Sequence, residues 1–298
     1  MQKDGQDAIF ILGLQRSGTT WLANMLAGSG EVAAVTAEEH RGVHESIFFS
    51  HFAKAFGPLS DPSGQSRFKE AFENSDYYQL TGLSSAFLED AIAAADDHAA
   101  VFETVMGRVM TDQNCRYWLE KSPHHSMLAD ELAARFPKAK FICLSRRSKS
   151  LIMSRLAAYG RSPATGPKRV ADILRGCLAN AYYTRKLTAF SANRANALML
   201  CYDDFAADPQ RGRQQLVDFL KLEAPAEALE SKFAANTSHD RKTATRTISA
   251  FDRFLIELGD RIGHVLPLQM LATFEGKRRA GKGVDWPDWV WLRSGWRP

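Results

Sequence analysis

Cysteine is scarce and scattered in this chain of 298 residues. Its four thiols, Cys115, Cys143, Cys177 and Cys201, form no CxxC pair, which argues against a disulfide-stapled secreted scaffold and against a thiolate zinc site. A reducing compartment fits best. Charge of one sign is lacking too: 38 Lys and Arg against 34 Asp and Glu leave a net +4, too little for a basic nucleic-acid-binding arm. No window approaches the roughly 20 uncharged residues of a membrane-spanning helix. The one early apolar run, Ala8 to Leu14, is shorter than a signal-peptide core and is closed by a charge. These absences predict a cytoplasmic protein with no transmembrane segment and no nucleic-acid partner. At 45% hydrophobic and 24% charged residues, the chain has ordinary globular composition and can bury a sizeable core.

What is present alternates. Ala8 to Gly13 is continuously apolar and partly β-branched, the pattern of a strand buried on both faces of a parallel sheet. A helix follows from Gly18 to Gly28, with Trp21, Leu22, Met25 and Leu26 at helical spacing. Residues 40 to 115 change character: Phe48, Phe49, Phe52, Phe56, Phe72, Tyr77, Tyr78 and Phe87 gather there between Gly and Pro breaks, which predicts a helical insertion. Strand-like runs return at Arg116 to Glu120, Lys140 to Leu144 and Asn196 to Tyr202, with helices predicted near 126–135, 147–159 and 168–192. Strands alternating with helices define an α/β protein with a central parallel β-sheet flanked by helices. No repeat or linker divides it, so one domain over 1–298 is expected. Four of the six Trp, at 286, 289, 291 and 296, lie in the C-terminal tail, read as docked over the core or as a lid.

The chemistry-bearing motif is Gly13-Leu14-Gln15-Arg16-Ser17-Gly18-Thr19-Thr20. Between a strand and a helix, such a turn aims successive backbone N–H groups and a helix N-terminus at a common anion. The spacing is that of a P-loop, but Thr19 stands where a triphosphate site keeps its lysine. The cation has moved to Arg16 inside the turn, facing the bridging oxygen of a 5′-phosphate, and a nucleoside triphosphate is disfavoured.

Gln15 to Trp21 resembles the 5′-phosphosulfate-binding loop of the sulfotransferases that use 3′-phosphoadenosine 5′-phosphosulfate (PAPS), in which Lys or Arg precedes S-G-T-T. A second element supports the resemblance at Lys140 to Leu156: the strand is followed by Arg146, and Ser154 lies eight residues on. In the family this pair holds the 3′-phosphate, and a guanidinium with a hydroxyl makes a charge-assisted clamp. The neighbouring Arg147, Lys149 and Arg155 read as a solvated basic face. Trp118-Leu-Glu-Lys-Ser-Pro-His124 resembles the E-K-[ST]-P segment of carbohydrate and bacterial members, and Tyr202-Asp-Asp-Phe205 with Asp208-Pro209 resembles the family's Y-E-D-x…D-P.

The resemblance implies a P-loop-like fold and transfer of a sulfuryl group from PAPS to a hydroxyl, with adenosine 3′,5′-bisphosphate leaving and no metal. The acceptor is a small-molecule, glycan or lipid-like hydroxyl. Implied donor contacts are Arg16, Ser17, Gly18, Thr19, Thr20, Trp21 on adenine, Arg146, Ser154 and Tyr202; Lys121 reaches the sulfuryl oxygens. For the base, Glu39 is the first choice, with Glu38 beside it and His124 as the rival; His40 and His44 rank lower. Arg279 and Lys282, in an off-pattern basic glycine segment, are candidates to cover the nucleotide. Two other readings stay open: a small-molecule or nucleotide kinase using the same turn with Mg-ATP, and a noncatalytic nucleotide-binding module.

Overall fold

The computed structural model describes residues 7–39, 41–156, 164–231, 248–279 and 286–297. The first strand β1, Ala8–Gly13, is buried at every position, as its unbroken apolar run requires. The turn at 14–18 leads into α1, Thr19–Ala27. A very short strand β2, Val32–Ala33, then precedes a tight antiparallel hairpin of β3, Thr36–Ala37, and β4, Gly42–Val43.

The insertion is helical, as expected. A π-helical turn at Phe48–Phe52 runs into α2, Ala53–Ala55, followed by α3, Pro62–Glu73, α4, Asp76–Thr81, α5, Ser85–Ala93, and α6, His98–Asp112. The starts of the last four are written in the sequence: the side chains of Asp61, Ser75, Ser84 and Asp97 each accept a hydrogen bond from a first-turn backbone N–H. Far from forming a loose lid, its aromatic residues pack onto one face of the sheet. Phe10 on β1 meets Phe49 at 6.0 Å between ring centroids, and Phe48 meets Phe102 at 4.6 Å.

The remaining strands alternate with helices: β5, Tyr117–Lys121; α7, Ala129–Arg135; β6, Lys140–Ser145; α8, Ser148–Leu156; α9, Gly166–Ala192; β7, Ala197–Cys201; α10, Tyr202–Ala207; and α11, Pro209–Leu220. A 3₁₀ stretch at Pro123–Leu128 forms the first part of the helix expected near 126–135. The sheet order is β2-β5-β1-β6-β7 and every pairing is parallel, with Ile11 opposite Lys121, Gly13 opposite Leu144 and Ser145 opposite Cys201. All four motif segments therefore leave the carboxyl edge of the sheet, beside the central strand where the winding reverses. That is where open α/β sheets bind ligands.

Two more helices, α12, Ala250–Val265, and α13, Leu268–Arg279, lie against α9. The α12 start carries a capping box between Ser249 and Asp252. Asp252 also accepts both forks of Arg169 from α9 at 2.8 Å each. The Arg169 hydrogen bonds, helped by Ser249 and outweighing burial, hold the Asp252 carboxyl well below the usual carboxylate range. A depressed folded-state carboxylate contributes stability above its unfolded value of about 4 and loses it as the pH falls below that. Asp252→Asn leaves Arg169 without its counter-charge. It should lower stability at neutral pH by about 2–4 kcal/mol in denaturant titration, with the difference from the parent shrinking toward acid pH.

Candidate active site

The turn after β1 brings its own cation into an unusual backbone conformation. Arg16 has φ +77°, in the left-handed region that costs a non-glycine residue energy and persists only where neighbours fix it. They do so here. Arg146, just past the end of β6, donates from Nη1 to the Arg16 carbonyl at 2.8 Å. The Arg16 guanidinium in turn donates to Ser154 Oγ on α8, from Nε at 3.2 Å and Nη2 at 3.1 Å. Arg16 and Ser154, 138 residues apart in sequence, therefore meet Arg146 at one corner.

Tyr202, just after β7, closes that corner. The Arg146 guanidinium lies over its ring at 4.4 Å, a cation–π contact, and the ring presses so closely on Gly18 that a Cβ there would collide with it. Gly18, at φ +99°, is the cap of α1. Trp21, one turn into α1, packs edge-on against Tyr202 at 5.3 Å and Phe205 at 5.1 Å. Asp203 accepts from the Arg147 backbone N–H at 2.7 Å and from Ser150 Oγ at 2.5 Å, so its carboxylate sits at the α8 N-terminus. Asn180 of α9 donates to the Arg146 carbonyl at 2.8 Å. The Tyr-Asp motif and α9 thus pin the turn that carries Arg146.

Within the glycine turn, Ser17 Oγ is buried and has no hydrogen-bond partner among the described residues. A buried hydroxyl is rarely left so, and an anion oxygen on the turn would satisfy it. Thr19 is buried and Thr20 partly so, both at the α1 N-terminus. The residues present fit a phosphate.

Lys121 ends β5 with its side chain only 2% exposed. A buried ammonium needs partners. It donates to Thr20 Oγ1 at 3.2 Å and to Glu45 Oε1 at 3.0 Å, which ties the glycine turn to a carboxylate of the insertion. Glu45 Oε2 lies 4.0 Å from His124 Nδ1, and the His124 ring packs edge-on against His51 at 5.3 Å. His51 faces Trp286 at 5.4 Å and His44 faces Trp289 at 5.3 Å, so the Trp-rich tail borders this side of the site. The tail is docked: Trp291 Nε1 donates to the Ala71 carbonyl of α3 at 2.9 Å.

Of the base candidates read from the sequence, the structure brings His124 to Lys121's carboxylate partner but not Glu39. Glu39 is at the tip of the β3–β4 hairpin and pairs with Arg293 of the tail. The carboxylate on Lys121 is Glu45, which sequence reasoning did not single out. His125, adjacent to His124, braces the insertion against the sheet instead. Its Nε2 accepts from the Phe49 N–H at 3.1 Å and its Nδ1 faces the buried Glu120 at 2.9 Å. Burial alone would raise the Glu120 carboxyl, but His125 with the hydroxyls of Ser122 and Ser46 more than offsets it and holds the group low. Ser126 also escaped the sequence reading; its Oγ accepts from the Gly13 N–H at 2.7 Å and donates to the Gly13 carbonyl at 2.9 Å, clamping the start of the glycine turn. Lys282, His40 and the Arg279 side chain lie outside the described residues. Among the described residues, no group of three or more His, Cys, Asp or Glu could hold a metal ion, and no helix is long and apolar enough to cross a membrane.

A parallel sheet with a glycine turn after its central strand makes the chain an α/β protein whose candidate site lies at the carboxyl edge. Residues 8–226 match the model of the sulfotransferase family. The chain belongs to that family, and its activity class is that of a transferase. Solved structures similar to it include the sulfotransferase domain of the curacin biosynthetic pathway, 20% identical over 90% of this chain and 96% of that one, TM-score 0.47. Another is the sulfotransferase domain of the Synechococcus PCC 7002 olefin synthase, 19% identical over 87% and 95%, TM-score 0.49. A sulfotransferase from Alicyclobacillus acidocaldarius is 13% identical over 91% and 100%, TM-score 0.47. No curated protein matches the chain.

Proposed function

We propose that this protein is a PAPS-dependent sulfotransferase that acts on a hydroxyl acceptor by in-line displacement. The observation that carries the reading is the meeting of Arg16, Arg146, Ser154 and Tyr202 at one corner, with Lys121 joining the same turn to a carboxylate. Two cations and a hydroxyl gathered beside an anion turn and two aromatic rings suit a nucleoside carrying phosphate on both sides of its ribose.

The donor supplies the sulfuryl group and a stable bisphosphate leaving anion. The chain's residues bind and orient it. In this reading the N–H groups of residues 16–20 and Ser17 Oγ hold the 5′-phosphate, while Arg146 and Ser154 hold the 3′-phosphate. Trp21 and Tyr202 flank the base. Arg16 places positive charge where the bridging oxygen gathers negative charge as its bond to sulfur breaks. Lys121 neutralises the sulfuryl oxygens. Glu45 takes the proton from the acceptor hydroxyl as that oxygen bonds to sulfur, in the role first sought at Glu39. His124 lies beside that carboxylate, its Nδ1 4.0 Å from Glu45 Oε2.

Trp286 and His51 form an aromatic edge near His124, backed by the buried Phe52 and Phe56, so the acceptor we favour is a small-molecule, glycan or lipid-like hydroxyl with an apolar body. Incubating the protein with PAPS and a panel of hydroxylated compounds tests the reading by mass spectrometry. Addition of one sulfate to an acceptor, insensitive to EDTA, is the expected result. Phosphorylation of the same compounds from Mg-ATP would instead make the protein a kinase, and binding of the bisphosphate without turnover on any acceptor would leave a binding module.

A further inference from the structure

Helix α12 turns one face into the protein and leaves an apolar face outside. Asp252, Leu255, Ile256, Gly259 and Gly263 are buried. The two glycines press on α9: a Cβ at Gly259 would come within 2.8 Å of the Cys177 Cβ, and one at Gly263 within 2.5 Å of the Ala181 Cβ. With Asp252 also locked to Arg169, the helix cannot roll its other face inward. That outer face carries Phe251, Phe254, Leu258, Ile262 and Val265, exposed by 38% to 83%. At ~150–200 Å² per large side chain, the stripe exposes on the order of 500 Å² of apolar surface, near the upper end of what soluble monomers tolerate.

The stripe is a palindrome. Phe251 and Val265 lie seven residues before and after Leu258, and Phe254 and Ile262 lie four before and after it. Only a partner that reads the helix backwards uses that symmetry: a second α12, antiparallel, puts Leu258 on Leu258, Phe254 on Ile262 and Phe251 on Val265 of the other copy. The charges agree. Glu257 and Arg261, both exposed, run along the same edge of the stripe, and in this register each Glu257 falls beside the other copy's Arg261, twice over. A helix meant for a lipid surface would flank its apolar stripe with Lys and Arg, whereas Glu257 and Asp260 here alternate with Arg253 and Arg261. Two such stripes remove about 1,000 Å² from water before any neighbouring surface is counted, at the threshold of a specific interface.

We propose that α12 is the self-association surface of this chain, two copies pairing antiparallel about a two-fold axis through Leu258. A two-fold contact of this kind closes on itself and makes a dimer, not a filament.

Sedimentation velocity on the full chain tests it, expecting a dimer at roughly 10–100 μM that Leu258→Glu converts to monomer by placing two carboxylates on the axis, weakening association at least about tenfold. Glu257→Arg should weaken the dimer as well, and Glu257→Arg with Arg261→Glu should restore it. Leu258→Cys should form a reducible covalent dimer on oxidation in excess of the parent chain, since the residue on the axis meets its own copy. All these positions are exposed, so far-UV circular dichroism of the variants should match the parent and distinguish lost association from lost folding. A parent chain monomeric over that range, a dimer untouched by Leu258→Glu, or a monomer that uses the stripe to bind anionic phospholipid vesicles would overturn the proposal.

Discussion

Arg16→Ala is expected to lower kcat by about 10³-fold, or about 4 kcal/mol of transition-state stabilisation, while the protein stays folded. The size follows from where this cation sits. Its backbone is bent into the left-handed region, its carbonyl is fixed by Arg146, and its guanidinium is held on Ser154 beside the glycine turn, within a side chain's reach of where charge develops in the proposed reaction. Arg16→Lys keeps a charge without the fork that engages Ser154 at two nitrogens, and should recover part of the rate. Arg146→Ala has a different signature. It removes binding of a phosphate remote from the reacting bond, raising KM for the donor by about 10–100-fold with a smaller effect on kcat. Steady-state kinetics with varied donor separates the two; an Arg16→Ala enzyme within tenfold of parental kcat would refute the role given to it.

The second large effect is at Glu45. Glu45→Gln keeps an oxygen to accept from Lys121 but removes the basic carboxylate, and kcat should fall by about 10²–10⁴-fold. Glu39→Gln should remain within about twofold, since its ion pair with Arg293 is exposed. His124→Ala should fall between them, because it leaves the Lys121 partner in place. If Glu39→Gln were the crippled variant and Glu45→Gln nearly normal, the base would be the hairpin carboxylate and the tail would have to move for catalysis.

The sequence pointed at Glu39, whereas the carboxylate that pairs with Lys121 is Glu45, and the cause is geometric. Distance along the chain from the glycine turn does not reveal a two-residue β-ladder. The pairing of Thr36 with Val43 and Ala37 with Gly42 sends Glu38 and Glu39 out to a tip and brings the chain back, so the carboxylate six residues after Glu39 reaches Lys121. That hairpin is secured by a side chain of α1: Asn24 donates to the Arg41 carbonyl and accepts from the Val43 N–H, a long-range contact without a local signature. By contrast β1 and the middle of β6 were legible because strands buried on both faces are continuously apolar, and β5 and β7 from shorter apolar runs, β7 being half-buried at the sheet edge. The insertion was legible as helical from its aromatic residues gathered between Gly and Pro breaks, while the Ser and Asp caps that start its helices went unread. The very short β2 and the helices α10 to α13 were not read. The first has too few residues to show a period, and α12 needed its inner and outer apolar faces told apart, which only the close approach of Gly259 and Gly263 to α9 makes visible.

The most direct test of the account compares thermal stabilisation of the protein by adenosine 3′,5′-bisphosphate, adenosine 5′-phosphate and Mg-ATP at equal concentration. The bisphosphate should raise the melting temperature most, and Arg146→Ala should erase its advantage over adenosine 5′-phosphate. Equal stabilisation by the two adenosine ligands in the parent protein, or a preference for Mg-ATP, would contradict the claim that Arg16, Arg146 and Ser154 form one site for a doubly phosphorylated ribose.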